Sequence, residues 1–311
     1  MAHVTFIHGI SNKPEADELL KIWRRALADT GDDPLALGSL GVSSSLVYWA
    51  SVMYAAPDPD VSAHEGVLEN TPSAVDGSGN PPLPTPVSPE SAAFIEALRS
   101  QLTDLSDAEI AAAPQAPVPT GPRGLERVPL PWALKKPIMA AFLRDVHHYL
   151  FNVESTPRPG ETFKVQDEIR RRTLERLSQA GSRPHIVVSH SMGTVIAYDC
   201  LKRVPDCPDV DGLITLGSPL GLDEVQDKLR PGWSRDGGFP VEKVHGDWVN
   251  VYDRLDVVCG ADPLLSNDFQ RLGAGAVMDV AVQNSGAWRH SATKYYRQPR
   301  LRQELRRMLG V

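Results

Sequence analysis

Six short runs of apolar and β-branched residues, each ending in turn residues, constrain this 311-residue chain more than any other feature: Val4 to His8, Leu46 to Ser51, Ile186 to Ser189, Leu213 to Leu216, Val249 to Asp253 and Val277 to Val282. Most are continuously apolar, as a strand covered on both faces must be. Helical periodicity separates them. Glu15 to Ala28 carries Leu19, Leu20, Trp23 and Leu27 on one side; Phe163 to Ala180 carries Ile169, Leu174 and Leu177 and closes at Gly181; Thr194 to Arg203 follows a serine. Parallel neighbours require crossover connections, so strand alternating with helix predicts a doubly wound, mostly parallel α/β sheet in a single domain over residues 1–311.

One region breaks that rhythm. From about Ala55 to Pro131 the chain is crowded with Pro, Ser, Gly and Asp, and proline is excluded from a central strand. Ser88-Pro89-Glu90 reads as a helix start with Phe94, Ile95, Leu98, Leu102 and Leu105 on one stripe. Ser106 and Glu109 have capping-box spacing for a second short helix. A longer periodic run follows, through Ile138, Met139, Phe142, Leu143, Val146, Tyr149, Leu150 and Val153. Residues 55–160 are therefore expected to form a helical, Pro-rich insertion between the second and third strands. The sequence leaves two readings of it, a lid over a site or a surface excursion.

Composition sets bounds. A formal net charge of -7 argues against a general nucleic-acid binder. The Lys- and Arg-rich C-terminal stretch reads as the solvated face of a terminal helix, an anionic contact patch being the alternative. The 3 cysteines form no CxxC pair, which points to reduced thiols and not to a metal site. No signal-peptide pattern and no apolar run of about 20 residues is visible, so the expectation is a soluble cytoplasmic protein.

The chemistry concentrates in "VVSHSMGTVIAYD", Val187 to Asp199. Ser191 falls where the strand period gives way to the helical one, with Ser189 and Gly193 two residues to either side. A nucleophile on such a hinge needs small residues at those positions so that strand and helix pass closely. It then presents its oxygen beside the free N–H groups of a helix N-terminus. His190 is expected to point away from the Ser191 side chain and to help seat the turn.

In this arrangement the chain resembles the serine α/β-hydrolases of the lipase and esterase branch, over most of its length except the Pro-rich insertion. It carries serine where their elbow has its first glycine. The resemblance implies the order nucleophile, acid, base. "WVNVYDRLDVVCGAD" then supplies Asp256 as the acid, with Asp253 as rival and Asp262 behind it. "NSGAWRHSATKYY" supplies His290 as the base, followed by Tyr295 and Tyr296. His245 precedes Asp256 and breaks the order. The N–H groups of Ile10, in "FIHGI", and Met192 are expected to form the oxyanion hole, Gly9 permitting the close approach. "TLGSPLG" resembles the family's loop after the next strand, and places Ser218 and Pro219 on the wall of the site. Phe94, Ile95, Leu98, Leu102 and Trp132 are candidates for an apolar wall facing an acyl chain or alcohol.

The implied activity is ester hydrolysis through an acyl-enzyme, on a small-molecule or lipid-like substrate, with no metal or cofactor. A thioesterase, acyltransferase or peptidase shares the same triad, and a non-catalytic binding module of the same fold is the more distant alternative. Enzymes that cleave halides or epoxides are disfavoured, because they carry a carboxylate where Ser191 stands.

Overall fold

The computed structural model describes residues 2–29, 34–64, 83–104, 132–286 and 288–311, with side chains described for all of these but 101–104 and 132–139. Six strands form one sheet: β1 (His3–Ile7), β2 (Ser43–Val47), β5 (His185–His190), β6 (Gly212–Leu216), β7 (Trp248–Tyr252) and β8 (Val277–Ala281). Two others, β3 (Glu154–Arg158) and β4 (Glu161–Lys164), make a separate antiparallel hairpin. The sheet order is β2-β1-β5-β6-β7-β8, and every neighbouring pair is parallel.

Why these runs became central strands is visible in their burial. Each residue of β1, β5, β6 and β7 is buried, whereas β2 and β8, at the two edges, keep exposed positions. Successive side chains enter opposite cores: Ile7 and Val187 on one face, Phe6 and Val188 on the other. The second face is covered by α1 (Ala16–Leu27) and by α7 (Ala292–Tyr296) and α8 (Pro299–Leu309) from the C-terminus. In α1 the buried residues are Leu19, Ile22, Trp23, Ala26 and Leu27, the spacing of one helical stripe, with acids in its first turn and arginines in its last.

The basic C-terminal stretch is not wholly a solvated face. Arg302 is buried and donates from Nε to the Tyr296 carbonyl at 3.0 Å and from Nη2 to the Ala26 carbonyl at 2.9 Å, which ties α8 to the end of α1.

The first face carries α2 (Pro89–Asp104), α3 (Trp132–Leu150), α4 (Val165–Ser178), α5 (Met192–Arg203) and α6 (Asp223–Lys228). Both α2 and α3 lie within the stretch expected as an insertion, and both pack into this core. Phe94 and Leu98 of α2 and Phe142, Val146 and Tyr149 of α3 share one apolar cluster with Val195 and Ile196 of α5. Buried Asp199 of α5 binds these layers together, accepting from the Tyr149 hydroxyl at 2.6 Å and from Arg170 of α4 at 2.7 and 2.8 Å. The short helix expected at Ser106 to Glu109 lies outside the described residues, as does Leu105. No helix among the described residues is long and apolar enough to cross a membrane.

The strand order dictates where a ligand can sit. From β1 the chain steps outward to β2, then returns across to β5 and continues the other way. Connections leaving β1 and β5 therefore diverge, and open a crevice at the carboxyl ends of those two strands. Gly9 and Ile10 follow β1 there, and Ser191 follows β5.

Candidate active site

Ser191 joins β5 to α5 with φ 55 and ψ -130, a positive φ that a side-chain-bearing residue adopts only when its surroundings impose it. Those surroundings are specific. The Ser191 N–H donates to the Leu216 carbonyl at 2.9 Å, and its own carbonyl accepts from Thr194 Oγ1 at 2.7 Å. A side chain at Gly193 would meet the Ile7 carbonyl oxygen at 2.5 Å, so the turn closes only with glycine there. On the other side, a Cβ on Gly9 would stand 2.6 Å from Ser191 Cβ: the β1 loop lies directly against the elbow. Ser189 fits two residues before Ser191 because its hydroxyl donates to the Ile214 carbonyl at 3.2 Å. Ser191 Oγ is buried and has no hydrogen-bond partner among the described residues.

The same crevice receives two residues from beyond β7. His290 Nδ1 donates to Asp256 Oδ2 at 2.8 Å, and both residues are buried. Asp256 also accepts from the Tyr295 hydroxyl at 2.7 Å on Oδ2 and from the Val258 N–H at 2.9 Å on Oδ1. Burial works to raise the Asp256 carboxyl, but the His290 charge interaction, its hydrogen bond and the other two donors outweigh it and hold the group below the usual carboxylate range. Gly217, at the end of β6, makes room for the pair. It has φ 53, and a Cβ there would meet Asp256 Oδ2 at 2.7 Å and His290 Nδ1 at 3.2 Å. His290 Nε2 is buried with no partner among the described residues, so it and Ser191 Oγ do not bond to each other in this state.

The rival acids are elsewhere. Asp253 accepts from the Asn284 N–H at 2.7 Å, from Arg289 Nη1 at 3.1 Å and from the Leu255 N–H at 2.9 Å, an arrangement that shapes the loop and leaves His290 untouched. Asp262 is pushed up to about 6 by burial and by Asp268, and its carbonyl lies against Gly221. His245 pairs with Asp209 at 3.1 Å on the surface.

His190 packs its ring on that of His290, centroids 4.7 Å apart, and forms part of the same cavity wall. Burial first, then His290, Lys13 and His8, lower its pKa well below the ordinary histidine value and keep it neutral. The cavity has a volume of about 40 Å³, and Ile10, Lys13, His64, His190, Trp288 and His290 are among its lining residues.

The β1 loop is fixed by side chains that sequence reasoning did not single out. His8 Nε2 accepts from the Trp49 and Ala50 N–H groups at 3.0 and 3.2 Å, which leaves Nδ1 to donate to the Gly9 carbonyl at 2.9 Å. In a trans peptide the N–H points opposite to the carbonyl, so this bond also sets the direction of the Ile10 N–H. Asp145, fully buried on α3, accepts from the Ser11 N–H at 2.8 Å, with Ser11 at φ 69. Met192 is the first residue of α5, where an N–H has no intrahelical acceptor.

Of the expected site residues Ile10 and His290 line this cavity; Ser191, Asp256, Gly9 and Met192 are not among its lining residues, nor are the expected wall residues Ser218, Pro219, Phe94, Ile95 and Leu98. Ser218 is buried, bonds Thr194 Oγ1 at 2.7 Å and accepts from the Leu220 N–H, capping the short turn that begins at Pro219. It ties β6 to the elbow helix and does not line the cavity. Phe94 and Leu98 are spent in the core beside α3, Phe94 meeting the Phe151 ring edge-on at 5.3 Å. The side chains of Leu102 and Trp132 lie outside the described residues.

No family model matches this chain, and no curated protein matches it. Among solved structures, a crystal structure of an uncharacterized protein from Pseudomonas aeruginosa aligns over 91% of this chain at 10% identity and a TM-score of 0.30. The aligned chain is much longer, this one covering 40% of it.

Proposed function

We propose that the chain is a serine hydrolase of the α/β-hydrolase fold that cleaves carboxylic esters through an acyl-enzyme. The observation that carries the reading is the His290–Asp256 pair, buried at the same end of the sheet as a serine on a strained elbow, with His290 Nε2 and Ser191 Oγ both without a partner among the described residues. Asp256 fixes the tautomer: it accepts from Nδ1, so Nε2 carries the lone pair and is the basic atom.

Ser191 attacks the ester carbonyl as His290 Nε2 takes the hydroxyl proton. The N–H groups of Ile10 and Met192 receive the oxyanion, and His290 returns the proton to the leaving alkoxide. Water then repeats the sequence on the acyl-enzyme and frees the acid. Closing the hydrogen bond between Ser191 and His290 on substrate binding is expected of such a site.

A short activated ester such as p-nitrophenyl acetate, whose leaving group departs readily, is the first substrate to offer. The test is labelling by a fluorophosphonate together with turnover of that ester. Native protein should label with one equivalent and hydrolyse the ester, and Ser191→Ala should do neither. Native protein that stays unlabelled, or a Ser191→Ala variant that labels equally, refutes the proposal.

A further inference from the structure

Lys13 lies on the loop between β1 and α1, partly buried, with its side chain folded back over its own loop. Its Nζ donates to the carbonyls of Ile10, Ser11 and Asn12, the latter two at 3.2 Å. An ammonium has three donors and no acceptor, so three carbonyls use it completely. It has no donor left for a substrate, although it stands in the cavity wall. What it does instead is gather three successive carbonyl dipoles on one side of the loop, which without a cation between them would repel one another. The backbone of Lys13 is held as well, its N–H donating to Asn12 Oδ1 at 2.9 Å and its carbonyl accepting from the Tyr48 hydroxyl at 3.2 Å.

We propose that Lys13 is a positioning residue of the oxyanion loop: by collecting the Ile10, Ser11 and Asn12 carbonyls, its ammonium fixes the three peptides that follow the Gly9–Ile10 peptide, whose N–H the His8 bond directs. The proposal rests on the hydrolase reading above. It makes the geometry of the oxyanion hole depend on a charge that can be lost.

Burial brings Lys13 down to about 8, against the pull of Asp145 and Asp58. Deprotonated, the amine offers two donors and a lone pair to three carbonyls, and the cradle opens. Other ionisable groups also face it. Asp145 comes from α3, Asp58 and His64 from the segment after β2, His8 from β1 and His190 from β5. Burial lowers all three histidines, and it lifts Tyr48, at the end of β2, to about 12.

The experiment is the pH dependence of kcat for p-nitrophenyl acetate, from about pH 6.5 to about pH 9.5, in the native protein, Lys13→Arg and Lys13→Met. Native kcat should fall above about pH 8. Lys13→Arg, which keeps its charge throughout, should lose that alkaline limb. Lys13→Met should lower kcat by about 10- to 100-fold at every pH, with KM within about twofold, because an oxyanion contact is made in the transition state. If Lys13→Met does not fold, the comparison of Lys13→Arg with native protein carries the test alone. A flat native profile, an alkaline limb that persists in Lys13→Arg, or a change in KM in place of kcat overturns the proposal. Fluorophosphonate labelling of the native protein separates the outcomes: if labelling fails, the hydrolase reading has failed; if it succeeds and Lys13 variants behave as native, only the role of Lys13 has.

Discussion

Replacing Asp256 by asparagine tests the proposed site at the atom that orients His290. Two donors converge on Oδ2, from His290 and Tyr295, and one on Oδ1, from Val258. If the amide oxygen takes the Oδ2 position, the new NH₂ faces the Val258 N–H, leaving buried donors unpaired at about 1–3 kcal/mol. If the NH₂ takes that position instead, the Tyr295 hydroxyl rotates to accept, and His290 needs only to move its proton from Nδ1 to Nε2. The second arrangement costs less, and it destroys the base, because Nε2 then carries a hydrogen toward Ser191. In a serine-protease triad the same exchange lowers kcat by about 10⁴-fold through the same change of tautomer. A loss of about 10³–10⁴-fold in kcat/KM is expected here, about 4–5.5 kcal/mol of transition-state stabilisation, with little change in melting temperature. Asp253→Asn should do the reverse. It removes the carboxylate charge beside buried Arg289 and should cost about 3–5 kcal/mol of fold stability. Turnover per folded molecule should stay within about tenfold of native. Steady-state kinetics on p-nitrophenyl acetate with thermal melts of both variants settle the matter. Asp256→Asn retaining more than about a tenth of native activity, or Asp253→Asn losing as much activity while fully folded, refutes the assignment.

Two further outcomes follow from the same geometry. Gly217→Ala places a methyl group 2.7 Å from Asp256 Oδ2 at a residue with φ 53, so the Asp256–His290 pair must shift; kcat should drop by at least about 100-fold, and the low-field Nδ1 proton of His290 in an NMR spectrum should move or vanish. The stability contribution of Lys13 should rise with pH. The unfolded chain keeps that proton to about 10.4, the folded chain releases it near 8, and stability increases wherever the unfolded state binds more protons. The melting temperature of native protein relative to Lys13→Arg should therefore climb between about pH 8 and about pH 10, while native activity falls.

The central sheet was legible because burial on both faces writes itself as unbroken apolar runs, and all six strands were found within a few residues. Where one side of a strand meets solvent the signal fades. β2 begins at Ser43, three serines before the apolar residues that betray it, and the hairpin of β3 and β4 is polar, partly exposed and interrupted by Pro157. The elbow could be read because its demand for small neighbours is local. Asp256 could be preferred to Asp253 only through the resemblance, since two aspartates on one loop differ only in what approaches them, and Asn284, Arg289 and His290 arrive from beyond β8. Asp145 and Lys13 left no trace for the same reason. A carboxylate on an amphipathic helix and a lysine after a turn both resemble solvated side chains until the fold brings them to the Ile10 loop.

The position of Asp145 also bears on what can move. It reaches the β1 loop from α3, within the stretch that the sequence left open as a lid over a site or a surface excursion. Yet Phe142, Leu143 and Val146 on the same helix are buried, each at 2% exposure or less. Taking each out of water contributes about 1.5–3 kcal/mol, so the three together give about 4.5–9 kcal/mol, against about 5–15 kcal/mol for the net stability of an entire domain. A lid must open at a cost that thermal motion meets during each turnover, and a helix anchored so deeply does not qualify. Lifting α3 would also release the Ser11 N–H from Asp145 and with it the loop that carries the Ile10 N–H. Access to Ser191 therefore has to be gained with α3 in place.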